Sequence, residues 1–427
     1  MHESRRRPAL RPASQLALFA CLAAVGSACA ILGLREQTAE IAAHGFLSVK
    51  VEAMAPSVPT YAVAWTTGPD GKPETIGLQP VGEDGIASFL LLNHRRYSIG
   101  AWSDTDKNKV YDGGEPAASV TDLQPLPLDD TFDRSKLQTL KLAPTNGLPP
   151  GQSFKVPDNE SEMGDALALH LGDVVKFDDP RFTPENGDMG MWRPFDFLQR
   201  LGVGLYFLQP YDPDKLPVVF VYGISGSPQD WRPMIEALDT TKVQPWFYHY
   251  PGGMRCDRTA NGLVSAILLL KQKHHFPKLA IVAHSMGGIV SYGAIQRLVE
   301  QAGSNFVSTY VTISVPWGGH EAAAKGVQRL NYPVPSWRDM EPGSNYLRSL
   351  LSRPLPAGTK HDLIFGFKST GGIGLPDDND GTVGVASQLV LQVQEAAHRV
   401  YGLPLSHSEI LRSPETRRLV EQALRVP

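Results

Sequence analysis

The chain is short of cysteine: of Cys21, Cys29 and Cys256, only the last falls in what reads as folded body. A disulfide framework is therefore excluded, and a lone Cys256 reads as a small buried hydrophobe. Charge of one sign is also lacking, with 40 Lys and Arg against 44 Asp and Glu for a formal −4. That balance removes the electrostatic reason to expect nucleic acid as a partner. Internal repeats and low-complexity tracts are missing too, so solenoid and fibrous classes fall away. Long uncharged apolar runs are scarce, and the clearest lies at the N-terminus.

There, Arg5, Arg6, Arg7 and Arg11 precede a charge-free stretch from Leu16 to Leu34. A basic flank before such a run is an export signal or an anchor. As a span it has about the 20 apolar residues a bilayer needs, with the positive flank left inside. Gly26-Ser27-Ala28 ahead of Cys29 resembles a bacterial lipoprotein processing site, which would lipidate Cys29, although Gly26 stands where Leu or Val is usual. A lipid on Cys29, a retained helix in residues 1–34 and simple cleavage stay open as alternatives. All three send the rest of the chain out of the cytoplasm, to the cell envelope or periplasm.

The hydrophobic fraction of 42% and charged fraction of 20% are those of a globular protein long enough for two folded units. From 45 to 143, short alternating runs are broken by turn residues: Phe46–Val51, Thr60–Trp65, Ile86–Leu91 and Tyr97–Trp102, with Gly68-Pro69-Asp70-Gly71 suited to reversing the chain. This pattern predicts a small all-β sandwich. Residues 144–177 read as a Pro- and Gly-rich linker followed by a helix over Glu160–Leu171, and 178–215 as an irregular aromatic-rich approach. Beyond Leu216, apolar strands alternate with helical stretches, the rhythm of a mostly parallel sheet wrapped by helices. The strands expected are Val218–Tyr222, Trp246–Tyr250, Leu279–Ala283, Tyr310–Ser314 and Leu363–Phe367, with helices over Leu263–Lys273 and Gly288–Glu300.

Within that rhythm, Leu279-Ala280-Ile281-Val282-Ala283 runs into His284-Ser285-Met286-Gly287-Gly288. A buried strand entering a small-x-Ser-x-Gly turn that opens a helix is a nucleophile elbow: small flanks let a strained Ser project its hydroxyl, and the helix N-terminus faces the developing oxyanion. The same pentapeptide also suits an ordinary strand-to-helix connection with a capping Ser. A second apolar strand, Val218–Tyr222, leads into Gly223-Ile224-Ser225-Gly226-Ser227-Pro228, placing the N–H of Ile224 as partner to that of Met286.

On these motifs the segment from about 178 to 427 resembles the α/β-hydrolase superfamily, specifically lipase-like members of the inositol-deacylase and lecithin-acyltransferase group. The resemblance implies an α/β-hydrolase domain behind the sandwich and a carboxylesterase or lipase acting on acyl ester or lipid without a catalytic cofactor. Tyr222 stands where those relatives carry His, and Ala283 where the elbow carries its first Gly. The chain order Ser, acid, His then points to Asp380 in Asp377-Asp378-Asn379-Asp380-Gly381, with Asp378 as fallback, and to His407 ahead of His398 or His320. Residues 316–361, with Asp339-Met340-Glu341-Pro342-Gly343-Ser344, resemble the cap of such enzymes and read as a lid or a rigid packing segment. The same machinery serves acyltransferases, thioesterases and amidases, and a catalytically dead binding protein could keep the fold.

One motif belongs to the sandwich. Asp104, Asp106, Asn108, Asp112 and Glu115 occupy positions 1, 3, 5, 9 and 12 of a loop, the spacing by which oxygen ligands wrap a calcium ion. Lys109 holds the sixth position, where glycine ordinarily turns the chain. A structural Ca²⁺ competes there with an acidic hairpin tip balanced by Lys107 and Lys109.

Overall fold

The computed structural model describes residues 33–52, 58–68, 71–81, 85–111, 113–128, 137–144, 147–148, 153–157, 169–368 and 378–425. The basic flank, most of the apolar run and Cys29 lie outside these residues, as do Asp112 and Asp377. Among the described residues no helix is long and apolar enough to cross a membrane.

Residues 33–43 form helix α1 and lead into an all-β unit. Its strands are β1 (His44–Glu52), β2 (Thr60–Thr67), β3 (Pro73–Pro80), β4 (Ile86–Leu92), β5 (Tyr97–Ser103), β6 (Val110–Tyr111), β7 (Ala117–Leu123), β8 (Leu126–Pro127), β9 (Gln138–Lys141) and β10 (Phe154–Lys155). One sheet orders β4-β1-β8 with β9 also on β1, the other β3-β2-β5-β7. Strict alternation along β1 buries Leu47, Val49 and Val51, which share a core with Ala62 and Ala64 of β2 and with Tyr97, Ile99 and Ala101 of β5. The two sheets thus form the expected sandwich. The β2–β3 turn closes by the hydrogen bond from Gly71 N–H to Gly68 O at 3.0 Å.

The second unit is built on one eight-stranded sheet. Its strands are β11 (Leu169–Val174), β12 (Val203–Phe207), β13 (Leu216–Val221), β14 (Val243–His249), β15 (Leu279–His284), β16 (Val307–Ile313), β17 (Lys360–Gly366) and β18 (Arg399–Leu403), ordered β11-β12-β14-β13-β15-β16-β17-β18. β12 pairs antiparallel with β14 and parallel with β11, while all pairs from β14 to β18 are parallel. Central strands such as β15 are buried along their whole length, which is why they read as unbroken apolar runs rather than alternating ones. This is an α/β-hydrolase sheet.

The helices follow in order: α2 (Pro184–Trp192), α3 (Pro194–Leu201), short α4 (Arg232–Ile235), α5 (Cys256–His274) and α6 (Met286–Ala302), then α7 (Glu321–Arg329), α8 (Pro335–Met340) and α9 (Asn345–Leu351) inserted between β16 and β17. The helix Pro414–Leu424 ends the fold. An apolar cluster of Ile41, Leu90, Leu128, Phe195, Leu198 and Met254 joins the two units. Gln37 of α1 strengthens the joint: its Oε1 accepts the N–H of Phe195 at 3.0 Å and of Asp196 at 3.2 Å, capping α3 in place of a local side chain.

Three expectations are corrected. Leu169–Leu171 are strand, not the end of a helix over Glu160–Leu171, because they pair in register with Val203–Leu205; residues 158–168 are not described. The sheet therefore opens at 169 rather than after 178, and the irregular approach contains α2, α3 and β12. Within the expected linker, Leu148, Phe154 and Val156 are buried with Trp65, Trp102 and Tyr111 of the sandwich. Turn-rich composition concealed a segment whose few apolar residues are all spent on a neighbour's core.

Candidate active site

Ser285 sits between the last residue of β15 and the first of α6, at φ 54° and ψ −132°. Such a left-handed conformation costs a non-glycine residue on the order of 1–3 kcal/mol and persists only where the surroundings enforce it. The enforcement is visible on both sides. Ser285 N–H donates to Ile313 O at 2.9 Å, and Gly288 N–H returns to Ser285 O at 2.9 Å. A Cβ on Gly287 would lie 2.3 Å from Tyr222 O and 2.4 Å from Val221 O, so only glycine lets α6 start this close to β13. Ala283, in the position of the first motif glycine, is fully buried without conflict.

Asp380 lies in the loop after β17 and is fully buried. Its Oδ1 accepts the N–H groups of Thr382 at 3.0 Å and Val383 at 2.7 Å. Its Oδ2 is 2.8 Å from Nδ1 of His407, and His407 N–H donates to Asp380 O at 2.8 Å. Burial alone would push the carboxyl up, but the His407 bond and charge with the two backbone donors outweigh it and hold it below the usual carboxylate range. An ionised Oδ2 accepts, so Nδ1 carries the ring proton and Nε2 of His407 keeps its lone pair. Asp378, the fallback acid, is exposed and makes no bond to this ring.

Ser285 and His407 line one cavity of about 750 Å³, without a hydrogen bond between them among the described residues. Such contacts are commonly long before a substrate arrives. The cavity opens outside the carboxyl ends of β13, β15 and β17, where open α/β sheets bind ligands. Its apolar wall includes Met191, Ile224, Ala323, Trp337, Met340 and Leu411. A larger hollow of about 900 Å³ at the amino ends of β13 and β14, beside Leu216 and Val243, contains none of the candidate residues.

The N–H of Met286, first in α6, has no intrahelical acceptor, and the N–H of Ile224 has no protein acceptor among the described residues. Both residues border the cavity beside Ser285. The Ile224 loop is held from several sides. A Cβ on Gly223 would come within 3.0 Å of Ser285 Cβ, so a bare backbone brings the loop to the nucleophile. Tyr222, in the place of His, stacks on Tyr250 at 4.6 Å between centroids. Its hydroxyl donates to Tyr250 O at 2.7 Å and accepts Tyr250 N–H at 2.7 Å. The substitution therefore staples the loop to β14 instead of loosening it.

The other histidines separate by position. His284 donates from Nε2 to His407 O at 3.0 Å, and burial, then the nearby His407, push it down to about 3. It is a neutral brace under the His407 loop. His320 faces the cavity, but its Nδ1 accepts Ala322 N–H at 3.2 Å and caps α7. His398 pairs with Asp362 at 3.0 Å near the far edge of the sheet. Sequence reasoning missed how Asp339 is used. It is fully buried and takes the Arg255 guanidinium at 2.7 Å and Cys256 N–H at 2.7 Å, pinning α8 to the start of α5. The signal was present in the Asp-x-x-Pro-Gly-Ser stretch, but its partner lay 84 residues upstream.

Against known proteins, the family described as "Putative serine esterase (DUF676)" matches residues 211–340, well short of half the chain. That stretch carries the Ile224 loop, the Ser285 elbow and most of the insertion. No curated protein matches. Among solved structures, the mature lipase BlEst2 of Bacillus licheniformis is 19% identical, covering 52% of this chain and 98% of its own at TM-score 0.42. Phospholipase PlaB from Legionella pneumophila is 15% identical over 50% of this chain and 60% of its own, at 0.41. Aspergillus fumigatus lipase B is 14% identical over 52% and 55%, at 0.40. Likeness at this level says nothing of activity.

Proposed function

We propose that the chain is a serine hydrolase of carboxylic esters. The observation that carries this reading is the hydrogen bond that His407, on the wall of the cavity that receives the left-handed Ser285, donates to a buried, ionised Asp380. The hydroxyl of Ser285 attacks the ester carbonyl as Nε2 of His407 takes its proton. The N–H groups of Met286 and Ile224 receive the tetrahedral oxyanion. Collapse expels the alcohol, which leaves with the proton held on His407. A water molecule, deprotonated by the same nitrogen, then attacks the acyl-enzyme, and the Ser285 oxygen leaves with that proton as the acid is freed. Asp380 stays ionised throughout and keeps the ring in the tautomer the reaction requires.

The apolar wall of Met191, Ile224, Trp337 and Met340 suits an acyl chain, which places lipid or other acyl esters first among substrates. Catalysis on this scheme requires no cofactor. The basic flank and apolar run ahead of Cys29 support export and a membrane tether, by lipid or by helix, with the enzyme at the envelope.

The test is hydrolysis of p-nitrophenyl esters from short to long acyl chains by wild type and Ser285→Ala, beside labelling with a fluorophosphonate. Wild type should turn over and label at one site, and Ser285→Ala should do neither. Equal behaviour of the two proteins ends the proposal. Capture of the acyl group by an added alcohol in preference to water would move the reading to acyl transfer.

A further inference from the structure

Outside the catalytic cavity, the loop after β5 gathers three carboxylates that the proposed reaction does not use. Oxygens of Asp104, Asp106 and Glu115 all lie within 4.8 Å of one another. Asp104 is 1% exposed and Glu115 8%. Oε1 of Glu115 accepts Thr105 N–H at 2.7 Å, whereas its buried Oε2 has no hydrogen-bond partner among the described residues. Asp104 and Asp106 use their oxygens on the backbone of Asn108 and Lys109, at 3.0–3.1 Å, so neither supplies a proton to Oε2. A buried carboxylate oxygen with no donor among the described residues, in a group clustered with two more carboxylates, is costly unless a cation stands among them.

We propose that this loop binds one calcium ion through Asp104, Asp106 and Glu115. The donor set is hard oxygen, which favours Ca²⁺ or Mg²⁺ over transition metals. Oxygens this close together can share one ion, and a protein-built set of carboxylates suits the flexible coordination of Ca²⁺ better than Mg²⁺, which demands near-ideal octahedral geometry and dehydrates reluctantly. Asn108 and Asp112 share the ligand spacing. The Asn108 carboxamide oxygen accepts Val110 N–H at 2.6 Å, and Asp112 lies outside the described residues.

The ion would act on the joint between the two units, apart from ester cleavage. The loop continues into β6, which pairs antiparallel with β10, Tyr111 opposite Phe154. Val156 N–H donates to Lys109 O inside the loop at 2.8 Å, and the Tyr111 hydroxyl accepts Leu148 N–H at 3.0 Å. The segment that leaves the sandwich for the eight-stranded sheet is thus hydrogen-bonded to the ligand loop itself. Fixing the loop fixes the exit of the chain.

The full chain, stripped with chelator, is titrated with CaCl₂ or MgCl₂ and followed by calorimetry and thermal melting. One calcium per chain should bind, with Tm rising by about 2–5 °C at a hundredfold excess over Kd, and Mg²⁺ should not match it. Glu115→Gln and Asp106→Asn should abolish the response. Asp106 is exposed, so that variant folds even if Glu115→Gln does not. Absence of binding heat and of a Tm shift in wild type overturns the proposal. An equal response to Mg²⁺ does so too, as does an undiminished calcium response in Asp106→Asn.

Discussion

Asp380 in the eight-stranded unit and Glu115 in the sandwich are both buried carboxylates, and they are partnered in opposite ways. Every direction of approach to Asp380 ends on a donor: two backbone N–H groups on one oxygen and an imidazole on the other. Glu115 spends one oxygen on Thr105, and the other has no partner among the described residues. The difference teaches that a buried charge is informative through what it lacks. A satisfied carboxylate orients a neighbour, and an unsatisfied one awaits a ligand from outside the chain.

The largest effects should come from breaking the satisfied pole. Ser285→Ala should cut kcat on a p-nitrophenyl ester by about 10⁴–10⁶-fold, and Asp380→Asn by about 10⁴-fold through loss of the His407 tautomer. Asp378→Asn, at an exposed site, should leave kcat within twofold. A kcat for Asp380→Asn within tenfold of wild type would show that this carboxylate orients nothing.

Next in size is the clamp of Asp339. Deleting one partner of a buried pair costs about 3–5 kcal/mol when the remaining charge is trapped. Arg255 is 42% exposed and can turn to water, so Asp339→Ala should cost nearer about 2 kcal/mol, mainly for the orphaned Cys256 N–H. Urea unfolding measures the loss, and a change below 0.5 kcal/mol, the ordinary scatter of surface substitutions, would mean α8 is not held there.

Acid should separate the two units. His249, His284 and His361 of the eight-stranded sheet are each pushed down to about 3 by burial, whereas the described histidines of the sandwich, His44 and His94, are not buried. An unfolded imidazole takes its proton near 6.5, so between pH 6.5 and 3 the unfolded chain binds more protons and stability falls as pH falls. Asp380 adds to the same side, since its contribution is lost as pH drops through its depressed value. Melting curves should show the larger unit failing first below about pH 5, with a shallower acid slope in His361→Gln. The smallest effect concerns the unsatisfied pole. In chelator, Glu115→Gln should melt within about 1–2 °C of wild type, because the lost oxygen had no partner to lose. A large drop would mean Oε2 is bonded after all.

Much of this was legible along the chain. The elbow at Ser285 announced itself because strand, strained turn and helix are contiguous in the chain, although the contacts that enforce the turn, from Ile313 and Tyr222, are not. The central strands β13 and β15 were readable because burial on both faces leaves nearly unbroken apolar runs, and β17 through its apolar second half, Leu363–Phe365. β11 and β12 escaped notice: they flank the sheet, are short, and sit among turn-forming residues. The chain from 147 to 156 escaped for the related reason that Leu148, Phe154 and Val156 find their core in another segment.

What the amino-acid order determined by itself was local: which residues alternate, which run apolar, where a small-residue turn must bend, and which oxygen donors share a loop. Tertiary structure alone decided which acid meets which imidazole, that Tyr222 staples rather than loosens the Ile224 loop, and that Asp339 grips Arg255. It also decided that one oxygen of Glu115 is buried with no donor among the described residues. The reason is physical: periodicity and turn chemistry act over a few bonds, whereas burial and electrostatic partnership depend on distances that only the folded sheet brings together.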